Sequence, residues 1–360
     1  MLTIKPTSGP HTGVTDSVGG IMRQVMYALV PATAFGLYLF GWPAVYLFLV
    51  TVLSALAFEY LCLKLAGKRA GPALKDGSAL LTGWLLAITL PPWAPWWIGV
   101  VGAGIAIVLG KQVYGGLGQN LFNPAMLARV ALLISFPLEM TTWANVTPWF
   151  SESAPDVYEG LSITFIGLSH PDAQTGATVL GHVKTEWLQK HPLSDSLANF
   201  DISAGWLGFM RGSLGETSAL LLLAGGLWLM LKKIITWHIP FSLLAAVAAL
   251  SAVFNAIDPE RYLSPVVHLG SGALMCAAFF IATDYVTSPN TRAGQILFGA
   301  MCGLLIYAIR TWGGYPEGAG FAILLMNAFT PLIDHYVKPR IHGRDRKGRP
   351  LEEATVTVKR

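Results

Sequence analysis

Ten apolar stretches follow one another through this 360-residue chain, each bounded by turn residues, at 22–40, 43–63, 77–90, 95–113, 121–137, 215–231, 237–256, 265–284, 293–311 and 319–335. As helices, most approach the hydrocarbon thickness of a bilayer, and so many of them cannot share one water-solvated core. Composition agrees, with 53% of residues hydrophobic and 12% charged. That is too little polar material to coat the two soluble domains that the length alone would suggest. An all-α integral membrane bundle is expected. Cys62, Cys276 and Cys302 lie far apart in apolar runs, without zinc or iron–sulfur spacing, so no metal site is expected. The opening MLTIKPTSGPHTG has no apolar signal-peptide core, so the spans themselves are expected to hold the chain in the membrane.

Ten crossings put both termini on one side. With the N-terminus inside, 18 Lys and Arg residues fall on the cytoplasmic side, eight of them from Lys338 to Arg360. Only Lys184, Lys190, Arg211, Arg261 and Arg310 fall outside, and Arg129 lies within a span. By the positive-inside rule both termini are cytoplasmic. Trp93, Trp96 and Trp97, beside Pro91 and Pro92, mark the outer interface as amphipathic rings do. The basic tail IHGRDRKGRPLEEATVTVKR would suggest nucleic acid in a soluble protein. Next to anionic lipid it reads as a retention signal, and no nucleic-acid partner is expected.

At an offset of 198 residues Pro91 falls on Pro289, Tyr114 on Trp312, Gly115 on Gly313 and Gly116 on Gly314. This carries spans three to five onto spans eight to ten, a repeat of five spans, and an odd number turns the second copy upside down. The expected architecture is a ten-helix bundle of two inverted five-helix repeats. It comprises a cytoplasmic segment 1–21, a first repeat 22–137, an external loop 138–214, a second repeat 215–335 and a cytoplasmic tail 336–360. The third and fifth spans of each copy are expected to be short, since 77–90 amounts to about 21 Å of helix. Short or broken helices at matching places point to a site near the midplane.

Near that site lie Asn120, Asn123 and Asn327, whose amides either face a ligand or cap helix ends and satisfy freed backbone groups. Arg129, two turns into the fifth span, should face a partner, a cavity or an anionic ligand, because an unpaired charge there costs several kcal/mol. Glu59 and Asp284 sit near predicted inner ends, where snorkelling or solvation explains them unless they serve in cation coordination. Ser213 followed by Glu216 has the spacing of a capping box opening the sixth span.

The loop 138–214 carries eight acidic residues against two basic ones up to Gly205, and so is polar and external. It contains Asp172-Ala173-Gln174-Thr175-Gly176-Ala177-Thr178. This stretch resembles the flavinylation signature D-x-x-[ST]-G-A-[ST], in which a transferase joins FMN through its phosphate to the final hydroxyl. The resemblance implies that Thr178 carries covalent FMN, with Asp172, Thr175, Gly176 and Ala177 as the recognition motif. The residue types suit that chemistry: a hydroxyl must attack a phosphoryl group, and small neighbours let the backbone enter the modifying enzyme's cleft.

Further segments extend the likeness: SGPHTGVTDSVGGIMRQVMYALVPA, DGSALLTGWLLAITLPP, GGLGQNLFNPAMLAR, GSLGETSALLLLAGG and ATDYVTSPNT. Almost end to end the chain resembles the family of membrane proteins that includes the D component of the Rnf electron transport complex and the B component of the sodium-pumping NADH:quinone oxidoreductase. The short N-terminus resembles the Rnf branch. The resemblance implies a multi-pass bacterial inner-membrane protein acting only within a complex of Rnf-type subunits, matured by an FMN transferase, with its Thr178 loop periplasmic. It also places the Ser213–Glu216 region near flavin and leaves room for a second, noncovalent riboflavin. Ferredoxin and NAD chemistry would belong to sister subunits, and no residue here is expected to be catalytic on its own.

An alternative reading also fits the inverted arrangement, which resembles that of urea channels and would serve a solute transporter or channel without cofactor. A third is a purely structural scaffold. The orientation is checked by labelling: cysteines introduced near Glu152 and Asp195 should react with an impermeant thiol reagent in intact cells, and one near Lys347 should not.

Overall fold

The computed structural model describes residues 17–167, 177–189 and 202–339. Its first helix, α1 (Val18–Leu65), has 48 residues and would reach about 72 Å if straight, more than twice the hydrocarbon thickness. The helix is broken at Gly41, whose φ of 71° and ψ of −158° suit a residue without a Cβ. There the chain doubles back. Trp84 shows this, since its Nε1 donates to Thr33 Oγ1 at 2.9 Å while its ring meets Phe48 edge-on at 5.3 Å. Two residues so far apart along one straight helix could not both reach a single side chain. The bend is held by Trp93, whose Nε1 donates to the Phe40 carbonyl at 2.9 Å. The two arms match the stretches 22–40 and 43–63.

After α2 (Ala70–Lys75) come α3 (Ser78–Thr89) and α4 (Trp96–Gly104), which continues as a π-helix over Ile105–Gln112. They are followed by α5 (Pro124–Ser135), α6 (Pro137–Thr141), α7 (Val157–Leu161) with a π turn at Ser162–Ile166, α8 (Val179–Leu188) and α9 (Ile202–Leu207). The last part holds α10 (Ala219–Leu231), α11 (His238–Ile257), α12 (Pro265–Gly270), α13 (Leu274–Cys276) running into a π turn Ala277–Ile281, α14 (Arg292–Trp312) and α15 (Ala319–Tyr336). The described residues are thus helices and their connections. By length and composition α1, α11 and α14 are long and apolar enough to cross a membrane. As expected, α3 and α5 are short, 12 residues each, and the eighth stretch breaks at Gly272, φ 68°. The second copy departs from expectation at its last span: α15 runs for 18 residues straight through Pro331, about 27 Å.

Small residues set the helix contacts, as they must where lipid removes any hydrophobic drive between helices. A Cβ on Gly83 of α3 would lie 2.8 Å from Ala55 Cβ and 3.1 Å from Val52 Cα. In the second half Gly303 of α14 admits the backbone of Leu243 and the methyl of Ala246. The helices α5 and α15 run antiparallel. Asn123 at the start of α5 donates its backbone N–H to Asn327 Oδ1 at 3.1 Å, and one turn or two further on, Val130 covers Gly320.

Glu59 is not solvated at a helix end, as its position suggested. It is 2% exposed and receives a hydrogen bond from Lys111 Nζ at 2.8 Å. Lys111 also donates to Ser78 Oγ at 2.8 Å, so the pair ties the second arm of α1 and the end of the π-helix to the first residue of α3. The hairpin brings all three to one place, a juxtaposition that linear spacing does not show. Because a lone buried charge is costlier than a paired one, Glu59→Ala should destabilise the chain by about 3–5 kcal/mol. The double variant Glu59→Leu/Lys111→Met should recover most of that loss in thermal unfolding of the detergent-purified protein.

Candidate functional site

Thr178 is the N-cap of α8. Its backbone is extended, φ −64° and ψ 164°, and its Oγ1 accepts from Gly181 N–H at 3.2 Å, the arrangement for which threonine is favoured at helix starts. The side chain is partly buried and Ala177 before it is exposed. Asp172, Thr175 and Gly176 lie outside the described residues. Far from being an isolated surface arm, α8 is docked on the bundle by Lys184. Its Nζ donates to the carbonyls of Ile309, Arg310 and Tyr315, at 3.2, 3.3 and 2.8 Å, at and just beyond the C-terminal end of α14, where a cation complements the helix dipole. Burial pulls the Lys184 ammonium below its ordinary pKa.

Thr178 thereby stands on the wall of a cavity of about 450 Å³ that reaches Arg129 on α5, Glu216 before α10 and Glu317 before α15. That size lies within the range of small-molecule and cofactor sites. The expectation that Arg129 faces a cavity is met in the structure. Its Nη1 is shut off from solvent and has no hydrogen-bond partner among the described residues. Glu216 is 6% exposed and accepts a hydrogen bond from Ser213 Oγ at 3.1 Å. The two residues do meet, but not as the capping box of the sixth span. They close a turn, Glu216 N–H to the Ser213 carbonyl at 2.9 Å, and the helix begins later, with Ser218 as its cap accepting from Leu221 N–H. A capping box with the expected reciprocal bonds occurs instead at Asp156 and Glu159, opening α7.

Behind the cavity lies a charge pair that sequence reading missed. Arg310, counted there as an exterior charge, is 6% exposed; its Nη2 meets Glu317 Oε2 at 2.6 Å. The same guanidinium donates to the carbonyls of His268 at 2.8 Å and Ser271 at 3.0 Å, groups freed where α12 stops. Glu317 in turn accepts from the amides of Ala273, Gly318 and Ala319. One ion pair therefore ties the break in the eighth stretch to the start of α15. The signal was available: Arg310 falls within the apolar run 293–311, where a charge needs a partner.

At the other end of α5 a second cavity, about 400 Å³, is lined among others by Ser78, Lys111, Asn120, Asn123 and Asp284. Here the asparagines serve the backbone. Asn123 caps α5, accepting from Ala125 and Met126 N–H; Asn120 donates to the Phe122 carbonyl; and Asn327 Nδ2 donates to that of Thr287. Asp284 accepts from Thr287 Oγ1 at 3.2 Å. Among the described residues no group of three or more His, Cys, Asp or Glu side chains could hold a metal ion.

An apolar helical bundle with broken helices, two cavities at opposite ends of one short helix and a hydroxyl-capped arm docked on one of them is the build of a membrane protein. The chain belongs to the NQR2, RnfD, RnfE family, which it matches over residues 5–343. It is 55% identical over 345 residues to the D component of the ion-translocating oxidoreductase complex of Stutzerimonas stutzeri, covering 96% of this chain and 97% of that one. To the protein of the same description from Halorhodospira halophila it is 51% identical, with the same coverage. To that of Escherichia coli strain SE11 it is 41% identical, over 96% of this chain and all of the relative.

The Lys184 contacts give a measurable consequence. Hydrogen bonds from a charged donor contribute about 1.5–3 kcal/mol each, but Lys184 is partly exposed and its three acceptors share one ammonium. Lys184→Met should therefore loosen the docking of α8 by about 2 kcal/mol, seen as roughly 30-fold faster amide exchange along 179–188 with α14 unchanged.

Proposed function

We propose that this chain is the flavin-carrying membrane subunit of an ion-translocating oxidoreductase complex, with FMN joined through its phosphate to Thr178. The observation that carries the reading is the position of Thr178, which caps α8 on the wall of the same cavity as Arg129. The residues present suit the group. The cavity has the required size, Arg129 brings a positive charge whose buried Nη1 has no partner among the described residues, and Trp143, Trp312, Tyr315 and Phe321 supply aromatic surface along the lining. When bound, the flavin supplies the electron uptake and release that no side chain here can perform. The chain's own part is to hold and orient it and to shield it from water.

In this reading the protein relays electrons between redox partners of an Rnf-type complex, coupled to Na⁺ or H⁺ movement, as the names of its relatives suggest. It is a multi-pass protein of the bacterial inner membrane with both termini cytoplasmic, and the Thr178 cavity opens on the periplasmic side, where an FMN transferase would modify it. The ten spans form two inverted five-helix repeats, an arrangement resembling urea channels. The antiparallel crossing of α5 and α15, at Asn123–Asn327 and Val130–Gly320, supports such an inversion, since these are the last spans of the two copies. The second cavity, about 400 Å³, has room for a noncovalent riboflavin. A direct test is to express the full chain with the transferase and run it on a denaturing gel. The band should fluoresce as flavin, and Thr178→Val should abolish the signal; a variant that stays fluorescent places the attachment elsewhere.

A further inference from the structure

Arg129 and Glu216 face the same cavity without forming an ion pair. The pairs among the described residues are Lys111–Glu59 and Arg310–Glu317, and in the second of these each partner is also occupied with freed backbone groups. Besides Glu317 of that pair, Lys184, which holds the end of α14, and Arg211, the charged side chains on the lining are Arg129, whose buried Nη1 has no hydrogen-bond partner among the described residues, and Glu216, which accepts a side-chain hydrogen bond from Ser213 Oγ. The carboxylate's space is kept by Gly212, since a Cβ there would come within 2.8 Å of Glu216 Oε2. In a chamber whose lining is for the most part apolar and aromatic, a guanidinium and a carboxylate on one wall call for a ligand edge that both accepts and donates. The imide edge of an isoalloxazine ring is such an edge. N1 and the C2 carbonyl accept, and N3–H donates.

We propose that Arg129 and Glu216 together recognise that edge, Arg129 at N1 and the C2 carbonyl and Glu216 at N3–H. The assignment rests on the FMN of Thr178 described above. It gives the two residues opposite effects on the redox balance. Reduction adds negative charge at N1 and the C2 carbonyl, which a guanidinium favours and a neighbouring carboxylate opposes. Arg129 thus sets how readily electrons are accepted, and Glu216 keeps them from being held too tightly. Arg310 and Glu317 are paired with each other and act as positioning residues for the wall.

The test is a spectroelectrochemical titration, at pH 8, of the full chain flavinylated by co-expression with the transferase, with gel fluorescence confirming equal flavin load. At the wild-type midpoint the ratio of reduced to oxidised flavin should fall at least about tenfold in Arg129→Gln and rise by a similar factor in Glu216→Gln. For a two-electron couple that is about 30 mV in opposite senses. Arg129→Lys keeps the charge without the planar fork and should stay within about threefold of wild type; with Glu216→Gln it decides the matter if Arg129→Gln does not accumulate. Unchanged potentials at full flavin load, or shifts of the same sign in both Gln variants, would overturn the proposal, because a mere disturbance of the wall has no reason to distinguish the two charges. A wild-type chain without a fluorescent band would instead overturn the Thr178 reading itself.

Discussion

A helix that ends inside an apolar medium leaves carbonyls and amides that no water can reach, and the rest of this structure depends on how those groups are satisfied. The break between α12 and α13 is the clearest case. Its freed carbonyls are taken by Arg310 and its first following amide by Glu317, and the same carboxylate caps the start of α15. The pair lets one helix stop and another begin beside the Thr178 cavity. At the opposite end Lys111 works through side chains instead, joining Glu59 to the hydroxyl of Ser78, the first residue of α3. Neither pair is a surface ornament. The Arg310–Glu317 pair replaces hydration at points where the backbone cannot hydrogen-bond to itself, and the Lys111–Glu59 pair joins side chains of three helical segments.

Much of the fold was legible because the bilayer leaves few options. Apolar runs in such a medium become helices, and the stretches at 77–90, 121–137 and 237–256 correspond to α3, α5 and α11 with ends displaced by a few residues. The fused α1 was also foreseeable in its parts, since Gly41 and Pro43 separate two runs. What sequence could not supply was three-dimensional neighbourhood. Glu59 and Lys111 are 52 positions apart, and only the hairpin at Gly41 brings them together. The last helix, expected to be short, instead runs on through Pro331 to Tyr336.

The candidate site shows the same division. Thr178 was singled out by a short motif and Arg129 by the cost of a charge in an apolar run, two independent lines of reasoning about residues on separate elements. The structure places both on one cavity, which neither line contained. Ser213 and Glu216 were paired correctly by spacing but assigned to the wrong task. Their turn precedes the helix, and the proper cap, Ser218, was hidden because serine and threonine occupy several nearby positions there. Arg310 was misjudged because a count of exterior charges treats a residue near a span's end as solvated, whereas the kinked chain beyond it folds back and buries it.

The flavin attachment proposed for the Thr178 oxygen would bear on the helix that this oxygen caps. The oxygen accepts the Gly181 amide that starts α8, so a phosphate esterified to that same oxygen would set a fixed negative charge at the amide-rich end of a ten-residue helix. Isolated helices of such length are marginal. Loading the cofactor would then also reinforce the segment that carries it, and the finished arm would be stiffer than its precursor. Maturation of this chain would in that sense be a late step of its folding, driven by a covalent bond rather than by burial.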